Sequence, residues 1–390
     1  MSGNTRNVPL GTRDIMFREA ELYRDIESRL TELYVNRGYS EIMTPGIEYY
    51  DVFEAGSTLR QEQMYKLTSP DGRLLVLRAD NTTPIARVAA TRFDSEVPVK
   101  LFYHQKVYRL SEGYKGRRSE IAQSGIEIIG ASGIHSDLIC MMTAIETLKT
   151  LCRDFKLEIG HVGYYNALIS ELDLDPEQAD RLRILVEAKD ANKISGYEKI
   201  KKIPFLFGGE EVFAEAEALA GDNAEAINSL TYLKKLYGAL CDAGYKDNIM
   251  IDLGIVHSLD YYTGTVFKGH MSGAGEPILS GGRYDTLISK FSNDIPATGF
   301  GVNVSEVVDT LIREISGECS CAGSKDLVCF DTVSFEKAYK YAYSHSDTEL
   351  SMLNSKQENF EYAEKNGYHR LVCFENGKCT TFLINGGEEE

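Results

Sequence analysis

The run SEIAQSGIEIIG, residues 119–130, alternates polar or small residues with aliphatic ones. In an extended chain successive side chains point to opposite faces, so Gln123, Gly125 and Glu127 share one face and Ala122, Ile126 and Ile128 the other. A strand with one apolar and one polar face suits an antiparallel sheet packed on one side only. If the polar face is the open one, Gln123 and Glu127 line a cavity; otherwise they are solvated.

The flanking sequence extends this picture. Strand-like runs at 40–43, 64–68, 74–78 and 99–107 precede it, with SPDG at 69–72 as a hairpin signal. Successive short strands with short turns predict an antiparallel sheet. Upstream, Leu22, Ile26, Leu30 and Leu33 recur at helical spacing and stop at Arg37-Gly38, an amphipathic opening helix. Downstream, a helix from His135 carries Leu138, Met141, Ile145, Leu148 and Cys152 on one side, enough to cover one sheet face. The other face stays open for a ligand.

Residues 166–244 turn mostly helical, with an Asp-Pro helix start at 175–176, and read as an insertion before strand signals resume at Asn248. In GFGVNVSEVV, residues 299–308, a strand runs into a helix, with Ser305 placed to cap it and Glu306 in its first turn. The Gly/Ser/Cys stretch 316–324 is the best linker candidate, dividing a core of 1–320 from a small α/β domain at 325–390. That domain reads strand, helix, helix, strand, strand, with an acidic tail expected to fray.

Bulk properties exclude several function classes. The 390 residues are 43% hydrophobic, enough for well-filled cores. No apolar run spans a membrane and the N-terminus lacks the apolar core of a secretory signal, so a cytoplasmic protein is expected. The formal net charge of −17 opposes extended contact with nucleic acid. Its densest basic cluster, Lys115, Arg117 and Arg118, reads as a solvated hairpin tip or a local patch. Eight cysteines without a C-x-x-C pair argue against zinc and a disulfide framework, and Cys319 and Cys321 read as reduced thiols. No metal or cofactor is expected.

Three further segments set polar groups beside small residues: LRADNTTP (77–84), VYRL (107–110) and HSLDYYTGTVF (257–267). A compact zwitterion needs these groups. Its ammonium seeks carboxylates and hydroxyls such as Asp80 and Thr82, and its carboxylate a guanidinium such as Arg109. Tyr261 and Tyr262 alternate, so one packs inward while the other can face a pocket.

The ordered motifs PLGTRD, GYSEIMTPGIEYYDVF, LRADNTTP, VYRL with GRRSEIAQSGIEIIG, LDYYTGTVF, SGGRYD and PATGFGV resemble the catalytic core of histidyl-tRNA synthetase, a class II aminoacyl-tRNA synthetase, over about residues 8–310. The resemblance implies an α+β fold, a six-stranded antiparallel sheet flanked by helices, with the segment around Pro45 serving dimerisation. It also implies a histidine pocket. Asp80, Thr82 and Gln123 would lie at the ammonium, Arg109 at the carboxylate, Glu127 and Tyr262 at the two imidazole nitrogens, and Tyr284 in the wall beside Tyr261. Asp80 departs from the family's Glu, keeping the charge and shortening the reach by one methylene. Opposed partners on the ring would explain selection of histidine.

Other departures bear on activity. His257 stands where the synthetase places an Arg ahead of LDYY, and cannot form a guanidinium fork. Glu306 stands where the third motif puts an Arg beside the ATP phosphates. One lost charge-assisted hydrogen bond costs about 1.5–3 kcal/mol, and a carboxylate about 6 Å from a phosphate adds about 3 kcal/mol at an effective dielectric near 20. Together they weaken ATP binding on the order of 10³-fold. Leu110-Ser111 supplies no acid two places after Arg109, and the C-terminal domain is smaller than the synthetase's anticodon-binding domain.

A synthetase core with its amino-acid pocket kept and its ATP and tRNA machinery lost is similar to the paralogous regulatory subunits of ATP phosphoribosyltransferase. That likeness implies a non-catalytic subunit paired with a short-form catalytic subunit in histidine biosynthesis, with L-histidine as effector and a homodimer inside a hetero-oligomer. An active or divergent synthetase, or a synthetase-like sensor module, are the alternatives. Several residues have plainer readings. His104 suits a satisfied sheet position, Arg283 and Asp285 suit the tying of a turn, and Arg87 either reaches the ligand or forms a surface pair.

Overall fold

The computed structural model describes residues 7–57, 59–93, 98–110, 118–256, 262–291, 294–315, 325–384 and 387–389. His257, Tyr261, the 111–117 stretch and the 316–324 segment lie outside the described residues. Two compact units form, Met1–Ile312 and Arg313–Glu390.

In chain order the first unit begins with α1 (Phe17–Asn36), β1 (Ser40–Glu41), β2 (Ile47–Tyr49), α2 (Tyr50–Gly56), β3 (Lys66–Thr68), β4 (Leu74–Leu77) and α3 (Thr82–Arg92). Then come β5 (Val99–Tyr108), β6 (Glu120–Ile129), α4 (Ile134–Leu151), β7 (Phe155–His161) and α5 (Val162–Ile169). The insertion adds α6 (Pro176–Glu187), α7 (Glu198–Lys202), β8 (Phe207–Gly208), α8 (Val212–Ala220) and α9 (Ala224–Leu240). The unit closes with β9 (Ile249–Asp252), β10 (Thr265–Met271), β11 (Leu279–Arg283), β12 (Ala297–Asn303) and α10 (Val304–Ile315).

The central sheet runs β1-β5-β6-β12-β11-β10-β7-β9-β8. Its middle six strands, β5 to β7 in that order, pair antiparallel throughout. The additions β1 and β9 pair parallel to their neighbours at either end. This is the class II synthetase-like α+β fold, its six-stranded core lengthened by three short strands.

One expectation changes. The runs around 66–68 and 74–77 do form the SPDG hairpin, but with β2 they make a separate three-stranded sheet, order β2-β4-β3. A hairpin signal specifies that two strands pair, and is silent on which sheet they join.

Alternation divides the central sheet as the opening run predicts. Phe102, Ile126, Phe267 and Phe300 point into a core with Cys140, Met141, Ile145 and Leu148 of α4 and Ile26, Leu30 and Tyr34 of α1. On the opposite face Ile85 and Ala89 of α3, with Leu287, Ile288 and Ile295, cover one end. Helix α6 starts at the Asp-Pro pair, with Asp175 capping it by a capping box and Pro176 in its first turn. Among the described residues no helix is long and apolar enough to cross a membrane.

The second unit contains β13 (Asp326–Phe330), α11 (Phe335–Ser344), β14 (Thr348–Leu350), α12 (Lys356–Lys365), β15 (Arg370–Glu375), β16 (Lys378–Leu383) and β17 (Gly387–Glu389), in sheet order β14-β13-β15-β16-β17. The helices cover opposite faces, α12 over Leu327, Leu371 and Phe382, α11 over Val328, Val372 and Phe374. Two strands exceed the sequence reading. Three-residue β14 is too short to show a period, and the acidic tail, expected to fray, pairs with β16.

Candidate functional site

Three cross-strand rows build the open face. Leu101, Glu127, Gly299 and Gly282 are in register across β5, β6, β12 and β11; Tyr103, Gly125, Gly301 and Ser280 form the next row, and Gln105, Gln123 and Asn303 a third. Glycines occupy the middle of the floor for a steric reason. A Cβ on Gly299 would overlap the Glu127 carboxylate, and one on Gly125 would meet the Tyr103 hydroxyl. Large polar side chains on two strands thus lie over bare backbone on the others.

Above this floor is a cavity of about 340 Å³, a small-metabolite size. Asp80, Thr82, Arg109, Gln123, Glu127, Tyr262 and Tyr284 all line it. Of the residues expected at a histidine pocket, only Tyr261 goes unplaced, since it lies outside the described residues. The segment 79–83 enters at the start of α3, Arg109 follows β5, and Tyr284 follows β11.

Glu127 is the centre of this arrangement. Its residue is 1% exposed, and it accepts hydrogen bonds from Thr82 Oγ1 at 3.0 Å and from the Tyr284 hydroxyl. Burial raises its pKa to about 8; the two hydrogen bonds oppose the rise and nearby Asp80 adds to it. Near pH 7 this shift favours the neutral form of the carboxyl.

Asp80 has a different engagement. Its two oxygens accept from the Thr83 amide at 2.7 Å and the Thr83 hydroxyl at 3.0 Å, so the carboxylate caps α3 while lining the cavity. The shorter side chain reaches back to its own helix. Arg109 is anchored by Nε to the Ala79 carbonyl at 2.7 Å, which points its fork along the cavity wall as a donor-only group.

The helix start in GFGVNVSEVV is capped differently from expectation. Asn303 Oδ1 accepts the Glu306 amide at 3.1 Å, so Asn303 is the cap. Ser305 is the second residue of α10, within its first turn, where its hydroxyl accepts the Ala122 amide at 3.0 Å and the Tyr23 hydroxyl at 3.1 Å. Position by position, Asn at the strand's last residue outcompetes Ser inside the helix. Nearby, Arg118 pairs with Asp309 at 2.5 Å and donates to Tyr23 at 2.7 Å.

The plainer readings also resolve. Arg87 pairs with Glu48 at 2.8 Å, away from the cavity lining. Arg283 bonds Asp285 at 2.9 Å and, in a buried pair, Asp137 at 2.6 Å, which fixes the strand end that carries Tyr284. His104 Nε2 contacts Thr31 Oγ1 at 2.9 Å but Nδ1 is buried without a hydrogen-bond partner, so the satisfied sheet position holds for one ring nitrogen only; burial lowers its pKa to about 4 and keeps it neutral. Among the described residues no group of three or more His, Cys, Asp or Glu could hold a metal.

Sequence reasoning missed Tyr103, Asn81, Ser280 and Asn303, which also line the cavity. Alternation along β5, applied as it was to β6, would have placed Tyr103 on the open face beside Gly125. No comparable signal marks Asn81.

Comparisons with known proteins agree with this geometry. A family model described as histidyl-tRNA synthetase matches residues 11–307. The chain is 37% identical over 391 residues to an ATP phosphoribosyltransferase regulatory subunit of Clostridium acetobutylicum, covering 95% of this chain and 96% of that one. It is 38% identical over 394 residues to one from Clostridium botulinum, covering 96% and 93%. A crystal structure of an ATP phosphoribosyltransferase regulatory subunit/histidyl-tRNA synthetase from Bacillus halodurans superposes with a TM-score of 0.81 at 29% identity, over 95% of this chain and 98% of that one. On a synthetase-like sheet whose polar face keeps an amino-acid-sized cavity, this near full-length likeness decides the matter: the chain belongs to the ATP phosphoribosyltransferase regulatory subunit family.

Proposed function

We propose that the chain is a non-catalytic regulatory subunit of ATP phosphoribosyltransferase that binds free L-histidine in this cavity and conveys feedback inhibition to a short-form catalytic subunit. The single observation that carries the reading is the convergence of Asp80, Thr82, Arg109, Gln123, Glu127, Tyr262 and Tyr284 on one cavity. Glu127 and Tyr262 offer partners for the ring, and Arg109 one for the carboxylate. Against ATP activation stands Glu306 in the first turn of α10, with Arg118 already paired to Asp309. The catalytic chemistry, joining ATP to phosphoribosyl pyrophosphate, then belongs to the partner.

Histidine acts by binding one conformation of the complex more tightly than another, and by reciprocity the partner alters histidine affinity by the same factor. A homodimer inside the hetero-oligomer is supported by the exposed apolar side chains Met43, Ile47, Tyr49, Leu67 and Leu74 on and beside the three-stranded sheet next to Pro45. The cytoplasm, where the reaction's charged substrates reside, is the proposed place of work.

The deciding experiment mixes the purified chain with a short-form catalytic subunit and follows phosphoribosyl transfer with and without L-histidine. Activity that depends on the chain and is suppressed by histidine is expected. Transfer indifferent to the chain, or histidine-dependent exchange of pyrophosphate into ATP by the chain alone, overturns the reading.

A further inference from the structure

Asn81, at the start of α3, is 1% exposed and lines the cavity beside Gln123. Its Nδ2 donates to Gln123 Oε1 at 3.1 Å, while its own Oδ1 is buried without a hydrogen-bond partner. An orphaned buried acceptor is costly, so some gain must hold the amide in this orientation. The reversed arrangement, with both amides turned over, would bury an orphaned N–H instead, the rarer and less tolerated state.

The consequence falls on Gln123. With its carbonyl oxygen taken by Asn81, Gln123 presents its NH₂ to the cavity. Gln105, its neighbour in the same cross-strand row, does not compete, because both ends of that amide are bonded to Thr44, at 2.9 and 3.1 Å. Nor does Asn303, whose Oδ1 takes the Glu306 amide. Gln123 stands four residues from Glu127 along β6, about 13 Å at strand rise, so the two mark opposite ends of the floor. One end carries the acceptors Glu127 and Thr82; the other carries the donor-only Arg109 and a Gln123 turned to donate.

We propose that Asn81 is a positioning residue, which by holding the Gln123 carbonyl turns the Gln123 amide nitrogen into the cavity and makes this end, with Arg109, a reader of the ligand's carboxylate. Gln123 thereby serves the carboxylate and not the ammonium, the reverse of the role implied by resemblance. The inference rests on the reading of the cavity as an amino-acid site. It assigns to Asn81 a preference for α-amino carboxylates over the matching amino alcohols.

The test titrates L-histidine and L-histidinol, which carries CH₂OH in place of the carboxylate, into the full chain by calorimetry. Wild type, Asn81→Leu, Gln123→Leu and the double variant are compared, with Asn81→Ala as a second substitution and thermal unfolding as the folding control. Loss of one charge-assisted hydrogen bond predicts that Asn81→Leu weakens L-histidine about tenfold. L-Histidinol should move by less than about twofold, and the double variant should be no weaker than Gln123→Leu alone, since the two residues act as one unit. Equal losses for both ligands, or losses that add in the double variant, overturn the proposal. A wild-type chain that binds no L-histidine overturns the amino-acid reading itself, and this one with it, in the first titration.

Discussion

Around Glu127 the polar groups are buried or half-buried and bonded mainly to one another: Thr82 and Tyr284 to Glu127, Asn81 to Gln123, Thr83 to Asp80. Around the start of α10 the charged groups, Arg13, Glu19, Arg118 and Asp309, stand part-exposed in ion pairs. The contrast has a physical meaning. A buried carboxyl is expensive to keep charged and shifts toward its neutral form, whereas part-exposed ion pairs form cheaply wherever opposite charges meet. The first region bonds within itself, and the second pairs its described cations Arg13 and Arg118 with the carboxylate of Asp309. Each prediction below strains one side of that difference.

The largest effect concerns the proton on Glu127. Its pKa is about 8 in the folded chain against an ordinary value of 4.5, so between these values the folded state binds the additional proton. The sign follows: the stabilising contribution is full below pH 4.5 and declines as pH rises toward 8, by up to roughly 1.4 kcal/mol per pH unit. Urea unfolding of the ligand-free chain at pH 5, 6, 7 and 8 should show a steeper decline in stability for wild type than for Glu127→Gln. Parallel curves would mean that Glu127 is ionised throughout, and the cavity's centre no different from its rim.

Next in size is the floor. Gly299→Ala drives a methyl group into the Glu127 carboxylate and the Ile126 carbonyl, whereas at Gly301 the added carbon meets only the Tyr103 hydroxyl, at 3.2 Å. Overpacking of the first kind costs about 1–3 kcal/mol. Thermal unfolding and histidine titration should therefore rank Gly299→Ala well below Gly301→Ala, with histidine binding by the former reduced beyond about tenfold. Equal behaviour would show that the glycines serve backbone pairing and not the cavity. Glu127→Gln, measured in the same titration, removes a charge-assisted partner of the ring and should weaken L-histidine about ten- to a hundredfold.

Much of this was legible in the chain, and the reason differs from place to place. Period-two alternation in residues 119–130 placed Gln123 and Glu127 together because a half-buried strand has no other way to satisfy both faces. The α6 start was legible because Asp175-Pro176 acts within one turn. What escaped depends on neighbours distant in sequence. Nothing local tells β3 and β4 to pair with β2 and not with β5, or β1 and β9 to join parallel. Ser305 looked like a cap until Ala122, 183 residues away, claimed its hydroxyl. Asn81 escaped for the same reason, since its meaning lies in Gln123, 42 positions later.

The smallest effect belongs to the charged cluster. Asp309→Asn removes the partner of Arg118 at 2.5 Å and of Arg13 at 2.8 Å, two ion pairs that a contact list would rank among the strongest in the chain. Their side chains are 20–45% exposed, however, and Arg118 keeps Tyr23 at 2.7 Å and Glu19 at 3.8 Å. Solvent screening and the remaining partners limit the loss to below about 1 kcal/mol. Histidine affinity should stay within about twofold of wild type, because no member of the cluster lines the cavity around Glu127. A loss as large as that of Gly299→Ala would mean that the cluster supports the cavity from behind, and that the two regions are one cooperative unit divided only in appearance.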